Sequence, residues 1–297
     1  MRDEESPQGP KPVAVAITSL SGAPGVTTTA LLLAASWPRR VVIVECDPSG
    51  GDVAPWWGLR SSPGLATLAA SLGREGVRQS NWDHVQRVGG GMEVITGVSG
   101  AAQAAAVDHL WPGLVSTTAS MGADLIFDLG RCPGTRWGGL AEVCKVADLL
   151  VVVTRADLAA VSHLRAGRDL LRRLQEDVVL VVVGESPYHA HEIAALAGLD
   201  LLGVLPMDDR AVAAVRGEAR RAGSFHRSRL FRVSREMCAA LVSCTRDRAL
   251  LDSEERPGGG CEEAQLAISG DVAKRPGAPK AVDCGAPVPP PMQVRVR

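Results

Sequence analysis

Val13-Ala14-Val15-Ala16-Ile17-Thr18-Ser19 runs into Leu20-Ser21-Gly22-Ala23-Pro24-Gly25-Val26-Thr27-Thr28-Thr29, and then into Ala30-Leu31-Leu32-Leu33-Ala34-Ala35. An apolar, β-branched run enters a glycine-containing turn, and the turn opens directly into a helix. That is the geometry of a phosphate-binding loop, where consecutive backbone N–H groups and a helix N-terminus face one anion. The common form of the loop is G-x-x-x-x-G-K-[ST]. Gly25 and Thr27 hold its last glycine and its metal-binding hydroxyl, but Val26 stands where the lysine belongs. Gly22, Ala23, Gly25, Val26, Thr27 and Thr28 can offer N–H groups to an anion, and Pro24 has none to give. The cradle is present and its main charge is missing.

Outward from the loop, strand and helix signals alternate. Residues 41–44 are a second buried strand, ending in Glu45-Cys46-Asp47-Pro48. Residues 64–72 and 100–119 predict helices, with a short strand at 92–96 between them. Residues 123–128 form an apolar run that ends in Asp128, and Gly130-Arg131-Cys132-Pro133-Gly134 is expected to break it. Strands at 148–154, 178–183 and 201–205 then alternate with helices at 158–174 and near 190–197. Pro206-Met207-Asp208-Asp209 opens a further helix with acids in its first turn. This order, with unbroken Val/Leu strands, predicts an α/β fold: a mostly parallel sheet with helices on both faces.

Carboxylates at the C-terminal ends of such strands lie where open α/β sheets bind ligands. Nucleoside triphosphate hydrolysis is mainly positioning and charge stabilisation. It needs an anion cradle, a Mg²⁺ site, a group that orients water, and cations. Thr27 and Asp128 are the candidate Mg²⁺ ligands, Asp128 through water. Asp47 is the candidate to orient the attacking water. The cations are the gap, and Arg131, Arg136 and Arg155 are the candidates to fill it.

Bulk properties bound the rest. The chain has 297 residues and 46% hydrophobic content, enough for one large α/β domain with tails. Only 3% is aromatic, so the core is expected to be Val, Leu, Ala and Ile. A net charge of −1 gives no global field toward nucleic acid or membrane. Seven cysteines occur without a C-x-x-C pair, which fits a reduced cytoplasm better than a disulfide framework. Met1-Arg2-Asp3-Glu4-Glu5 is the opposite of a signal peptide, and no apolar run approaches the roughly 18–20 residues of a bilayer span. A cytoplasmic protein is expected, with a flexible lead (1–11), one domain (12–249) and a disordered Pro/Gly-rich tail (250–297).

Some features carry two readings. The stretch 216–248 is Arg-rich, with a helix expected at 230–244; it is either a solvated face or a sequence-independent contact to DNA phosphates. Trp56-Trp57 is either lid packing or a partner contact. His189 and His191 have metal-like spacing, but i,i+2 residues diverge on a helix, so a solvated helix start is expected. Cys46, between acids, is expected to be a packed strand residue.

Four pieces together resemble the ParA/MinD family of P-loop ATPases. They are the deviant loop Ser21-Gly22-Ala23-Pro24-Gly25-Val26-Thr27-Thr28, the switch Glu45-Cys46-Asp47-Pro48, the strand end Leu125-Ile126-Phe127-Asp128, and Val204-Leu205-Pro206-Met207-Asp208. Their order and spacing match over about residues 13–245, and the nearest branch is the CpaE/TadZ-like, MinD-like proteins. The resemblance implies ATP and Mg²⁺ as cofactors, Pro206 and Asp208 bordering the adenine, and a homodimer. It also implies a positioning or partitioning role, with weak or partner-dependent ATP hydrolysis. The implied cargo is chromosome or plasmid DNA, pilus or secretion machinery, or a division component. The sequence departs from the family where it matters most. The family's signature lysine falls on Ser21 and its ordinary loop lysine on Val26, Glu45 replaces the first switch aspartate, and Gly184 replaces the adenine-reading asparagine. No membrane-targeting amphipathic helix closes the chain. The alternatives are a pseudo-ATPase scaffold that binds no nucleotide and a DNA-binding module built on 216–248.

Overall fold

The computed structural model describes residues 11–22, 24–72, 80–131, 137–185, 188–219 and 222–254. In chain order they begin with β1 (Ala14–Ser19), α1 (Val26–Ser36), β2 (Val41–Glu45), α2 (Val53–Trp57), α3 (Leu65–Leu72), β3 (Gln86–Arg87) and β4 (Glu93–Ile95). Next come α4 (Ala101–Val107), α5 (Trp111–Ala119), β5 (Asp124–Arg131), α6 (Leu140–Val146), β6 (Leu149–Arg155) and α7 (Leu158–Leu174). The last are β7 (Val178–Val183), α8 (Ala190–Ala197), β8 (Asp200–Leu205), α9 (Asp209–Val215) and α10 (Arg229–Glu254).

The sheet runs β3-β4-β2-β5-β1-β6-β7-β8, and every described pairing is parallel except β3 against β4. Successive strand residues feed two cores, as the period of two requires. Ile17, Ile43, Ile126 and Val151 pack on one face, with α1, α9 and α10. Ala16, Val44, Phe127 and Val152 pack on the other, with α3 and α5 through α8. This is the α/β architecture that the alternating signals predict.

Helix α1 is buried nearly all round because α10 covers the side that the sheet does not. Ser234 Oγ donates to Leu32 O at 2.9 Å and Cys238 Sγ to Leu33 O at 3.3 Å, stitching the two helices together. The expected helix at 230–244 is therefore longer at both ends. Its apolar stripe (Leu230, Met237, Cys238, Leu241) is core, while Arg229, Arg232 and Arg235 stay exposed. The expected lead, apart from Lys11, and nearly all of the expected tail lie outside the described residues.

Two local expectations are corrected. The helix predicted over 100–119 is two helices joined by a single 3₁₀ turn at Asp108–Leu110. Pro112 has no N–H to continue an α-helical ladder, so the chain tightens and restarts at Trp111. Strand β5 does not stop at Gly130 but runs on to Arg131, and the mismatch is taken up by a register shift between Ile17 and Ser19 of β1.

The N-terminal edge of the sheet is locked by carboxylates. Asp124 accepts from Val13 N at 2.8 Å, from Trp37 Nε1 at 2.6 Å and from Arg39 Nε at 2.8 Å. Glu93 pairs with Arg40 and Arg87, and the Arg40 guanidinium lies 3.6 Å from the centre of the Trp82 ring. The opposite, C-terminal edge carries the residues that the sequence singles out.

Candidate nucleotide site

The loop leaves β1 at the centre of the sheet. Ser21, at the place of the family's signature lysine, is folded back: its N–H donates to Ser19 Oγ at 3.1 Å, and Ser19 Oγ donates to Ser21 O at 2.8 Å. Gly25 caps α1 at φ 93°, a left-handed conformation that favours glycine, and it supplies no side-chain cap. The helical ladder begins with Thr29 N donating to Gly25 O at 2.8 Å. Val26, Thr27 and Thr28 precede that bond, so the helix itself offers their N–H groups no acceptor. Pro24 is buried beside them, and Ala23 lies outside the described residues.

Thr27 and Asp128 are brought together. The Thr27 hydroxyl is hydrogen-bonded to the Asp128 carboxylate, and Gly130 N donates to Asp128 Oδ1 at 3.0 Å. Asp128 is only 1% exposed, and burial pushes its carboxyl up to about 7 against the pull of these two donors. Glu45 and Asp47 add to the rise. A buried carboxyl beside a hydroxyl, poorly compensated by protein charge, is an all-oxygen donor set suited to a hard divalent cation such as Mg²⁺.

Asp47 takes its position from two contacts. Its Oδ1 accepts from Ser49 N at 2.7 Å, and its carboxylate fills the space that a Cβ on Gly130 would need, at a residue whose φ of +60° already favours glycine. It is half-buried and lines a cavity of about 200 Å³ together with Gly25, Thr27 and Thr28. Glu45, its neighbour across Cys46, does different work. It is 1% exposed and accepts from Asp52 N (2.8 Å), Val53 N (2.9 Å) and Gly97 N (2.9 Å), so it caps α2 and ties it to the loop after β4. Burial raises the carboxyl of Glu45 in spite of those donors. Cys46 is packed as expected, and burial holds its thiol well above the usual range.

A second cavity, of about 470 Å³, adjoins the loop. Pro206, Met207 and Gly184 wall it, and Asp208 stands at its edge. Asp208 Oδ1 accepts from Ala211 N at 3.0 Å, so this side chain also caps α9. Gly184 has no side chain to read a base, and Met207 lies 3.5 Å from where its Cβ would be.

The cation candidates divide. Arg131 lines the smaller cavity and Arg155 the larger, both exposed, while Arg136 lies outside the described residues. Arg131 Nη1 lies beside Gly22, and Arg216, which the sequence groups with the basic stretch, hydrogen-bonds to the start of α1. It donates to Thr28 Oγ1 from Nη2 (2.7 Å) and Nε (3.1 Å), and it stacks 4.5 Å from the centre of the Trp56 ring. Trp57 packs on Gly89 and Gly217, so the tryptophan pair is internal packing against this site. His189 starts α8 in solvent, its N–H donating to Glu192 Oε2 at 3.2 Å.

No protein-family model matches the sequence, and no curated protein matches it. Solved structures do. The ParA family ATPase from Chlorobium tepidum matches with TM-score 0.62 and 18% identity, over 77% of this chain and 98% of that one. The cell division ATPase MinD from Pyrococcus furiosus matches with TM-score 0.63 and 14% identity, over 78% and 99%. MinD from Pyrococcus horikoshii, solved in complex with Mg-ADP, matches with TM-score 0.61 and 14% identity, over 78% and 98%. The chain has the fold of the ParA/MinD ATPases. In this ParA/MinD fold, the loop after β1, the ends of β2 and β5, and the segment after β8 converge on one edge of the sheet, as parallel strands require. No helix among the described residues is long and apolar enough to cross a membrane.

Proposed function

We propose that this chain is a ParA/MinD-type positioning protein that binds Mg²⁺–ATP in a degenerate site and recruits a cargo as a nucleotide-dependent homodimer. The observation that carries the reading is the Thr27–Asp128 pair, a buried and poorly compensated carboxyl held at the mouth of an uncapped helix N-terminus. Gly22 through Thr28, with Ala23 among them, hold the phosphates by backbone N–H groups, Pro24 excepted. Pro206 and Asp208 border the base. Thr27 and Asp128 would hold Mg²⁺. Bound Mg²⁺ would neutralise phosphate oxygens and leave the residual hydrolysis to Asp47, which orients water from its seat against Gly130. Without the loop lysines, turnover is weak or awaits a partner. The names of two structural neighbours, a cell division ATPase and a plasmid partition protein, support a cargo of partitioned DNA or a division component. The absence of lysine at Ser21 and Val26 supports a kinship with the lysine-poor, MinD-like branch.

A second reading is a scaffold that binds no nucleotide. Val26 and Ser21, standing where the two lysines belong, favour it. Light scattering with and without a Mg²⁺–ATP analogue separates the two. A shift from monomer to dimer is expected, and an unchanged mass with no bound nucleotide selects the scaffold.

A further inference from the structure

Arg216 is separated from Thr28 by 188 residues, yet its guanidinium reaches the first turn of α1. Two of its five N–H donors are spent on one neutral hydroxyl, Thr28 Oγ1. Among the described residues no carboxylate is within ion-pair distance of it. Asp52, which lines the same cavity, feels its charge without forming an ion pair, so among the described residues three donors of this half-buried guanidinium are left over, which is unusual in a folded chain. Its place is just as specific. Arg216 lines both the cavity that contains the loop and Asp47 and the one walled by Pro206 and Met207. A nucleotide lying across the two would pass its phosphates under this group.

The guanidinium is also held. Trp56 offers its ring face from below, 4.5 Å from centre to cation. The next residue, Gly217, has φ +75° and lies so close to the Trp57 indole that a Cβ would stand 2.7 Å from Trp57 Cδ2. Both tryptophans belong to α2, whose start is capped by Glu45 and which follows Asp47 and Asp52. The segment that carries the water-orienting candidate therefore also grips the cation.

We propose that Arg216 supplies in cis the positive charge that the lysines absent at Ser21 and Val26 would have brought to the nucleotide phosphates, with Trp56 as its positioning residue. This rests on the nucleotide-binding reading above. A planar fork suits phosphate oxygens bidentately, and its charge does not titrate. The rival role is mechanical: Arg216 only ties α9 to α1 through Thr28.

Equilibrium titration of the full chain with Mg²⁺–ATP distinguishes them, using Arg216→Gln, which keeps an N–H donor for Thr28 without charge, and Arg216→Lys, which keeps charge. The thermal midpoints without nucleotide serve as the fold check. The expected result is an affinity loss of about 10- to 100-fold in Arg216→Gln, with Arg216→Lys retaining most of the wild-type affinity. Wild-type affinity in Arg216→Gln, or equal losses in both variants, would overturn the proposal while leaving the nucleotide reading intact. No binding by the wild type at millimolar Mg²⁺–ATP would remove that reading and this inference with it.

Discussion

At the scale of single residues, Asp128 holds the largest unspent electrostatic cost in the site. Burial lifts its carboxyl to about 7, above the roughly 3.9 of an unfolded chain. The folded state therefore binds the proton more tightly than the unfolded state does. The stability linked to that proton is complete below pH ~4 and is lost as pH rises toward 7, at up to about 1.4 kcal/mol per pH unit. Asp128→Asn keeps the shape and loses the charge. In Mg²⁺-free thermal unfolding it should melt higher than wild type at pH 8, with the gap closing as pH falls toward 5. Adding Mg²⁺–nucleotide should raise the wild type more than the variant. A variant no more stable at pH 8 would mean that the carboxylate is already well compensated. Gly130 makes a separate claim. At φ +60° and pressed against Asp47, it has no place for a methyl group. Gly130→Ala should cost about 1–2 kcal/mol in denaturant midpoint from backbone strain alone, and should lower any ATP turnover further by moving Asp47.

At the scale of elements, the two edges of the sheet are built for different work. The N-terminal edge is closed by Asp124, which accepts from Val13 N, Trp37 Nε1 and Arg39 Nε at once. Asp124→Ala should destabilise by about 3–5 kcal/mol in urea unfolding, because it leaves a buried cation and two donors without an acceptor. A loss below 1 kcal/mol would show that water reaches those groups. Most of these elements could be read in the sequence because each announces itself locally. The unbroken Val178–Val183 run is a strand and Leu158–Leu174 a helix, as the hydrophobic spacing requires. The apolar circumference of α1 announced its burial, although only the structure shows that α10 completes it. The two-residue strand β3 carries no periodicity to detect. Reading 100–119 as one helix passed over Pro112, whose missing N–H marks the restart at α5.

At the scale of the whole molecule, the site is an assembly of distant segments, and this sets what the sequence could reveal. Thr27, Asp47 and Asp128 could be singled out because they follow apolar strand runs in a fixed order along the chain: Thr27 in the first turn of α1, Asp47 just past β2 and Asp128 where the apolar run of β5 meets a carboxylate. Arg216 was not, because its meaning depends on a fold-back across 188 residues and on a tryptophan from another helix. In the sequence it is one of the several arginines of 216–248, and composition carries no sign of this contact. If the assembled site holds Mg²⁺–ATP, ligand at 100 times its dissociation constant should stabilise the native state by about 2.7 kcal/mol, read as a raised unfolding midpoint. The most direct test is a calorimetric titration of the full chain with Mg²⁺–ATP, run beside Asp128→Asn. The account predicts saturable binding in the micromolar range that is weakened when Asp128 can no longer serve the metal. No saturable signal from the wild type up to millimolar Mg²⁺–ATP would contradict it.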